Sequence, residues 1–373
     1  MSNVRSMNRQ ARLLALIASC AGLALLGGCG VAPPVRSAAC MPALTPVSSE
    51  DGQTHGLRLS VLTYNIEGLG WPARKNRGPQ LREIGKRLDA LRRSGRGPDI
   101  ILFQEVFSSA AKRAADASGY AALAAGPRRT TRASGDTLPP LPGKRMLSEL
   151  GIHLAGSGLV IASRFPIVAQ AEQAYGPRAC AGRDCLANKG IMLARIALPG
   201  LPVPLDVYNT HMNSRGASGA PEARHVAAHE RQSLAASRFI DRTHDDAAAV
   251  IFGGDFNMRH SEERWENFTR YQALTLVHAT CADPRGGCDV RMSWDGDAPW
   301  LDTQDLQFFA GGETANGVVP VDIRPVRVEA MFDGSPHSPK LSDHDGFLVT
   351  YELMWRGLVQ PPSRELPICG GSR

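Results

Sequence analysis

Phe252-Gly253-Gly254-Asp255-Phe256-Asn257 is the stretch from which the fold and chemistry of this sequence are best approached. It ends the apolar run 247–252, which contains β-branched residues and is typical of a buried strand. The two glycines predict a turn of the backbone at the end of that strand. Asp255 and Asn257 would face the same way if the extended geometry continued. A carboxylate that orients water or a metal, beside an amide that donates to an oxyanion, suits work on a phosphate. A turn in which both side chains only cap backbone groups is the alternative.

The chain is long enough to build one large core. It has 373 residues, of which 43% are hydrophobic, and α/β domains of this size commonly remain single. The formal net charge of +6 includes three arginines near the N-terminus that no acid accompanies. Without them the balance is 39 basic against 36 acidic residues, or +3. Such a charge does not require a polyanionic partner.

Residues 1–28 are predicted to be a lipoprotein signal peptide. Arginines precede the apolar run 13–26, which is too short to span a bilayer comfortably. The segment Leu26-Gly27-Gly28-Cys29 resembles the lipobox of bacterial lipoproteins, in which the cysteine becomes the lipidated first residue. An ordinary secretory signal cleaved nearby is the alternative. We therefore expect an exported protein that is anchored to a membrane through Cys29, at the outer membrane, in the periplasm or at the cell surface. Residues 29–56, which are rich in Pro, Ala and Ser, are predicted to be a tether.

Six cysteines remain if Cys20 leaves with the signal peptide and Cys29 is acylated. An exported chain meets an oxidising environment, and an even number of cysteines there indicates disulfides. Two pairs flank short loops, and the other two cysteines lie near the two ends of the chain. The predicted disulfides are Cys180–Cys185, Cys281–Cys288 and Cys40–Cys369. A zinc site is the weaker interpretation, because no histidine lies at ligand spacing between these cysteines.

Apolar strands and amphipathic stretches alternate along residues 57–355, which we predict to be one domain followed by a tail over 356–373. A strand ends at Asn65, a helix with apolar residues at helical spacing covers 80–93, and a buried strand covers 100–103. This succession favours a layered α/β fold. Further strands are predicted over 159–163, 191–197, 205–208, 306–310 and 347–353, and a further helix over 222–240.

Polar side chains recur where the predicted strands end. They are Asn65, Glu105, His211, Asp255 with Asn257, and Asp343 with His344. Each alone has an ordinary explanation as a cap, a surface residue, a half-buried histidine or a turn. Five such clusters in one α/β chain make coincidence a poor explanation, so we interpret them as one functional site.

Five motifs, in this order, resemble those of the endonuclease/exonuclease/phosphatase superfamily. They are Thr63-Tyr64-Asn65, Gln104-Glu105, Asn209-Thr210-His211, Gly254-Asp255-Phe256-Asn257 and Ser342-Asp343-His344. The superfamily includes pancreatic-type deoxyribonuclease, abasic-site endonucleases, inositol polyphosphate 5-phosphatases and neutral sphingomyelinases. The resemblance extends from about Leu57 to Leu353. It implies a four-layer α/β sandwich, in which two packed mixed β-sheets are flanked by helices and the site lies at one end of the sheets.

The resemblance implies a Mg²⁺-dependent phosphodiester hydrolase. Glu105 would be the principal metal ligand, with Asn65 beside it and Asp343 as a further ligand or an orienting partner. Mg²⁺ needs few protein ligands because it retains waters, and Mn²⁺ or Ca²⁺ could replace it at such oxygen ligands. The ion would polarise a phosphoryl oxygen and stabilise the leaving oxygen.

The resemblance also assigns roles around the attacking water. His344 would be the general base or water-activating group, and Asp255 would orient the water. Asn257 and His211 would bind the non-bridging oxygens and stabilise the charge that develops there.

Asp305 lies where the family often has an aspartate that holds the catalytic histidine. The local string 304–308, Gln-Asp-Leu-Gln-Phe, departs from the usual Asp-Tyr-Ile-Phe-like pattern. Asp302 is therefore the alternative partner for the histidine.

The substrate is less well determined, because nucleic acids, phospholipids and soluble phosphate esters all fit such a site. Residues 188–193, Asn-Lys-Gly-Ile-Met-Leu, resemble the Lys-Gly-containing stretch of neutral sphingomyelinases. Lys189 is therefore a candidate phosphate contact, with an ordinary strand-start lysine as the alternative. A membrane tether would place lipid within reach and favours sphingomyelinase-like phospholipase C activity. Against this, no exposed aromatic hairpin is evident, and Trp294 and Trp300 are the nearest candidates.

Two other functions remain open. A surface nuclease would need a basic groove, which could draw on Arg128, Arg129, Arg132, Arg215 and Arg224. The loop 126–145 that carries three of these arginines is more simply interpreted as solvated. An inositol phosphatase is disfavoured because the characteristic strings of that subgroup are not found. A monomeric lipoprotein that binds a phosphodiester without cleaving it is the other alternative.

Overall fold

The computed structural model describes residues 34–133, 138–293, 298–315, 317–336, 338–357 and 367–369. The predicted signal peptide, the lipidation site Cys29, most of the predicted tail and Trp294 lie outside these residues. Residues 33–373 form one compact unit. Among the described residues, no helix has both the length and the apolar character needed to cross a bilayer.

Fourteen strands and five α-helices make up the described part of the chain. The strands are β1 (Val47–Ser48), β2 (Thr54–Asn65), β3 (Ile100–Gln104), β4 (Ala122–Ala125), β5 (Val160–Ser163), β6 (Ile167–Ala174), β7 (Gly190–Ile196), β8 (Leu205–His211), β9 (Val250–Asp255), β10 (Thr275–Leu276), β11 (Asp289–Arg291), β12 (Asp305–Ala310), β13 (Asp322–Met331) and β14 (Gly346–Arg356). The helices are α1 (Gly78–Arg93), α2 (Ser109–Ala117), α3 (Glu222–Thr243), α4 (Glu262–Thr269) and α5 (Val277–Ala282).

The strands form two mixed sheets. One has eight strands in the order β11-β13-β14-β2-β3-β5-β4, with β1 beside β2, and the other has six in the order β10-β12-β9-β8-β7-β6. The pairs β2–β3 and β8–β9 are parallel, whereas most of the other pairs are antiparallel. The predicted architecture of two packed mixed sheets is therefore confirmed.

The inner faces of the two sheets supply the main core. Alternating residues of β2, such as Leu59 and Val61, pack with β8 and β9 residues, such as Val207 and Ile251. Helices α1 and α2 cover the outer face of the eight-stranded sheet. Leu81, Ile84 and Leu88 of α1 pack there against strand residues Leu62, Ile101 and Phe103. Phe239 and Ile240 of α3 cover the outer face of the other sheet against Tyr208 and Phe252. The result is four layers, as expected for sheets that must bury both faces.

Gly253 and Gly254 do not turn the backbone, so that prediction is wrong. Both lie inside β9, which continues to Asp255. A Cβ atom on Gly253 would lie 2.5 Å from Leu102 Cδ1, and one on Gly254 would lie 2.2 Å from Thr210 O. The glycines are needed because the facing sheet and the neighbouring strand approach closely here.

Residues 36–56, assigned from the sequence to a tether, pack against the domain. Arg36 pairs with Leu123 through main-chain hydrogen bonds, and Met41 is only 2% exposed. Strand β1 pairs with β2. All three predicted disulfides are present, and the bond between Cys40 and Cys369 joins this segment to the C-terminal end.

A buried ion pair fixes the loop between β4 and β5 to α3. The Arg224 guanidinium contacts Glu149, with Nε 2.9 Å from Oε1, and donates to the carbonyls of Leu141 and Pro142. Burial raises the pKa of Glu149, but the hydrogen bonds from Arg224 and from main-chain amides outweigh burial and hold that pKa below its usual value. Arg224 is therefore not available to a basic groove, and its predicted role there is wrong.

We expect Glu149→Gln to lower the free energy of unfolding at neutral pH by about 3 kcal/mol or more, because it leaves a buried guanidinium without its partner. The ionised carboxylate stabilises the fold above the pKa of the unfolded chain, and this contribution is lost as the pH falls through the lower folded-state pKa. Urea unfolding at neutral and acidic pH should therefore show a difference that shrinks in acid. Glu352→Gln, which breaks an exposed pair with Arg324, is the control and should cost less than about 1 kcal/mol. Equal losses in the two variants would contradict the prediction.

Candidate active site

The carboxyl ends of the two parallel strand pairs meet at one end of the sandwich. Asn65 pairs with Gln104 at the end of β2–β3, and His211 pairs with Asp255 at the end of β8–β9. Asn65 Nδ2 donates to Asp255 Oδ2 over 2.9 Å and so joins the two sheets. We call this end of the molecule the site edge. Asn65, His211 and Asp255 are the last residues of their strands, whereas Glu105 and Asn257 follow the ends of β3 and β9.

Asp255 is the centre of the cluster. Its side chain is buried, and Oδ2 lies 3.3 Å from His211 Nε2 and 3.9 Å from His344 Nε2. Burial raises the pKa of Asp255 to about 6, against the opposing effect of the positive charge of His344. Burial also lowers the pKa of His211 well below its usual value, so this ring is neutral.

His344 is held by Asp305. His344 Nδ1 lies 2.6 Å from Asp305 Oδ2, and Asp305 faces Asp255 across the β9–β12 pair. Burial lowers the pKa of His344, but the carboxylates of Asp305 and Asp255 outweigh it and raise that pKa to about 10. Burial raises the pKa of Asp305. Asp302, the alternative partner, makes no hydrogen bond through its buried Oδ2 within the described residues.

Glu105 provides a carboxylate close to this centre. Its backbone has φ of 60°, in the left-handed region that non-glycine residues rarely adopt and that recurs at functional sites. Among the described residues its one side-chain hydrogen bond comes from Asn65 Nδ2 over 3.3 Å. Burial and the charge of Asp255 raise the pKa of Glu105 to about 7, against the lowering effect of the hydrogen bond from Asn65. A carboxylate that lacks a cationic partner beside a second carboxylate suits a bound cation.

The Glu105 carboxylate fits Mg²⁺, which takes oxygen ligands and is held by one or two carboxylates while retaining waters. Asn65 faces this carboxylate with Nδ2 and would have to turn its amide oxygen toward the ion to ligate it. Asn65 Oδ1 accepts from Glu67 N over 3.0 Å, which fixes the orientation of the amide. Within the described ranges, no three His, Cys, Asp or Glu side chains gather into a metal site of their own. A cation here would therefore depend on solvent and substrate oxygens as well.

Asn257 and Lys189 lie beside the cluster with their donors engaged. Asn257 has φ of 53° and donates through Nδ2 to Met212 O over 3.1 Å. Lys189 Nζ donates to Asp184 Oδ2 over 2.9 Å and to Met212 O over 2.7 Å. The charge of Lys189 lowers the pKa of the acids at the centre, against the effect of burial.

The Asp343 carboxylate lies against Arg74 at the surface, and its role as a metal ligand stays a prediction. Its side chain is 49% exposed and lies 3.5 Å from Arg74 Nη2. The adjacent Ser342 is buried instead, and its hydroxyl donates to Asn65 O over 2.7 Å. Ser342 thus anchors the loop that carries His344.

Sequence reasoning assigned no role to several buried residues that support the site. Gln104 Nε2 donates to Asn209 Oδ1 over 2.8 Å between the two sheets. Both residues belong to the quoted motifs, and their polarity within apolar strands is a signal of a structural role. Arg264 of α4 is fully buried and donates to the carbonyls of Asn257 and Asn213 over 2.9 and 2.6 Å. A lone arginine in a short polar helix gives no such signal.

Several aromatic and basic residues considered for substrate binding have surroundings that the sequence did not predict. Trp300 is partly buried, with its ring 5.7 Å from that of Trp265. Trp71, in the loop after β2, is 78% exposed. Arg215 donates to the carbonyls of Arg259 and His260. The exposed arginines of the predicted groove are Arg128, Arg129 and Arg132.

The sequence matches the profile of the Endonuclease/Exonuclease/phosphatase family over residues 62–344, more than half of the chain. The chain belongs to this family. The match includes every motif around the site, from the end of β2 to His344. Comparison of this family member with curated proteins gives no match.

Solved structures with the same fold share little sequence with this family member. A mutant of the beta toxin from Staphylococcus aureus with bound magnesium ions has 14% identity and a TM-score of 0.52, covering 78% of this chain and 98% of that one. Sphingomyelinase C from Streptomyces griseocarneus has 17% identity and a TM-score of 0.51, covering 80% and 99%. TDP2 from D. rerio, complexed with a single-strand DNA product, has 14% identity and a TM-score of 0.51, covering 79% and 98%.

Proposed function

We propose that this protein is a Mg²⁺-dependent phosphodiester hydrolase with sphingomyelinase-like phospholipase C activity, exported and anchored as a monomeric lipoprotein. The observation that carries the proposal is the buried charge cluster of Asp255, His344 and Asp305 beside the carboxylate of Glu105. Burying several ionisable groups together is costly for folding, and active sites are where such clusters concentrate. A binding protein without catalysis would not need a histidine held between two aspartates.

The residues present would divide the work on a phosphodiester. The attacking water would lie between Asp255 Oδ2 and His344 Nε2, which are 3.9 Å apart. Burial raises the pKa of Asp255 and the neighbouring carboxylates raise the pKa of His344, so the two groups act as one coupled acid–base pair at the water. Within this pair His344, held by Asp305, would activate the water, and Asp255 would orient it. His211 and Asn257 would contact the non-bridging oxygens as negative charge develops.

Glu105 and Asn65 would hold the cation. Once bound there, Mg²⁺ would polarise a phosphoryl oxygen and stabilise the leaving oxygen. Magnesium ions bound in the beta toxin of the same fold support this assignment. Lys189 would add positive charge behind the phosphate site, although its ammonium group is hydrogen bonded to Asp184 and Met212.

A lipid substrate is favoured by the predicted anchor and by the stretch 188–193. Sphingomyelinase C among the solved structures with this fold is consistent with that preference. A nuclease is the second candidate, because TDP2 of the same fold is complexed with single-strand DNA and Arg128, Arg129 and Arg132 are exposed.

The first test is the release of phosphocholine from sphingomyelin vesicles, with Mg²⁺ and with a chelator. We expect release that depends on the metal and stops when it is chelated. A folded protein that binds Mg²⁺ without releasing phosphocholine would contradict the lipid assignment. Metal-dependent cleavage of single-stranded DNA by that protein, with a steep loss of binding as salt rises, would then favour the nuclease.

A further inference from the structure

Four large aliphatic side chains project into solvent from one short segment between β4 and β5. They are Leu147, Leu150, Ile152 and Leu154, with exposed fractions between 53% and 87%. We call these four residues the apolar ridge. The other exposed large apolar side chains of the described residues, apart from Trp71, are single Val or Ile residues spread along the chain. Contiguous exposed apolar surface on a soluble domain marks an interaction site.

The ridge is a firmly held part of the domain. Its polar residues point inward: the Glu149 carboxylate accepts from Gly182 N over 2.7 Å, and His153 Nδ1 lies 2.9 Å from Cys185 O. Leu154 N donates to Leu186 O over 2.7 Å. Because residues two apart in an extended segment point the same way, anchoring His153 inward directs Ile152 and Leu154 outward.

The ridge lies at the site edge. It precedes β5, whose first residue Val160 pairs with Phe103 just before Glu105. Val106 N donates to Gly158 O over 2.8 Å and joins the two segments. Trp71 follows the end of β2 and so belongs to the same edge. The largest exposed apolar side chains therefore lie on two chain segments that adjoin strands at the site edge.

Basic residues predominate on the surface beside the ridge, which also includes the exposed Glu172 against Thr131. Its exposed basic residues are Arg128, Arg129, Arg132, Lys144 and Arg183. The one acid among the described residues of 126–158 is Glu149, which is buried and paired with Arg224. Aliphatic side chains that enter the acyl region, flanked by Lys and Arg at headgroup level, are the arrangement by which proteins bind anionic membrane surfaces.

We infer that the apolar ridge inserts into a lipid bilayer containing anionic headgroups and so places the site edge on the membrane. The inference deepens the proposed function and rests on it for the identity of the lipid cleaved, whereas membrane binding itself does not require cleavage. The ridge contains no aromatic residue. Single-stranded nucleic acids bind by stacking their bases on aromatic rings, and protein–protein interfaces are enriched in aromatic residues, so the ridge resembles neither kind of interface. A bilayer is therefore the occupant that its composition favours.

Co-sedimentation with vesicles tests the inference in the presence of a chelator, so that no hydrolysis is needed. The protein used in this experiment is residues 30–373, which retains the compact unit 33–373 and lacks Cys29, the predicted site of the acyl anchor. With vesicles of phosphatidylcholine containing about one third phosphatidylglycerol, we expect binding that Leu150→Asp/Ile152→Asp weakens about tenfold or more, because two apolar insertions are lost. Leu147→Asp, at the most exposed position of the ridge, is a second variant that should weaken binding without affecting the fold.

Val168→Asp is the matched control. Val168 is 54% exposed but lies at the start of β6, at the opposite end of the strand from Ala174, which pairs with Gly190 near the site. It should bind vesicles within about twofold of the parent. Failure of the parent to bind, equal binding by the ridge variants, or an equal loss in Val168→Asp would overturn the inference. Ridge-dependent binding without sphingomyelin hydrolysis would support it and count against the proposed function alone.

Discussion

His344→Ala should lower metal-dependent phosphodiester hydrolysis by about a hundredfold to ten-thousandfold, the range that a positioned acid–base group supplies. His344 Nε2 lies 3.9 Å from Asp255 Oδ2, and its other ring nitrogen is held 2.6 Å from Asp305. Removing the imidazole takes away both the group beside the attacking water and the positive charge that opposes two buried carboxylates. Steady-state rates at saturating Mg²⁺ measure the effect.

His244→Ala is the matched control for this prediction. His244 also pairs with a buried aspartate, with Nδ1 3.2 Å from Asp206 Oδ2, but the pair lies at the start of β8, at the end opposite His211. This variant should retain the parental rate. Asp305→Asn should lose an intermediate amount, because the amide can keep the ring in place but cannot balance its charge. If His344→Ala kept more than about a tenth of the parental turnover, the role assigned to His344 would be wrong.

The fold could be predicted because its elements have clear local patterns. The run 100–103 is apolar throughout, as a strand buried on both faces must be, and α1 repeats apolar residues at helical spacing. The cysteine pairs were predictable from their spacing and the predicted export signal. In contrast, Gly253 is required because Leu102 of the facing sheet approaches its backbone closely. This contact exists only after the two sheets pack, so the local sequence, with its two adjacent glycines, predicts a turn instead.

The positions of the site residues followed from motif order, whereas their partners did not. The pairing of Glu149 with Arg224 joins residues 75 positions apart, and each charge alone resembles a surface residue. The apolar ridge shows the opposite case. Leu and Ile at this spacing normally indicate a buried core, yet these four side chains are exposed. Exposure depends on which neighbours the fold supplies, and sequence pattern does not contain that information. For the same reason the sequence placed Asp343 beside His344 but gave no sign of its contact with Arg74 over 3.5 Å.

Glu105→Gln should abolish the response to Mg²⁺ while leaving a folded protein. The substitution keeps the size of the side chain and removes the carboxylate that we assign as the principal ligand. Asn65 Nδ2 is the shared donor to Glu105 and Asp255, at 3.3 and 2.9 Å, so two neighbouring carboxylates depend on one amide. Without metal, loss of one of these charges relieves repulsion, and the melting temperature of the variant should equal or exceed that of the parent.

The measurement that separates this role from a structural one is thermal unfolding at increasing Mg²⁺. A ligand that binds only the folded state stabilises it by RT ln(1 + [L]/Kd), about 2.7 kcal/mol at a hundred times Kd. The parent should therefore gain melting temperature as Mg²⁺ rises, whereas Glu105→Gln should not. Glu67→Gln is the control, because that carboxylate lies at the same edge but is already paired with Arg74 and Arg77, at 2.9 and 3.3 Å. A carboxylate neutralised by two guanidinium groups does not need a metal, so this variant should keep the Mg²⁺ response. If Glu105→Gln also kept the response, the cation would have to bind elsewhere, and the roles assigned to Glu105 and Asn65 would both be wrong.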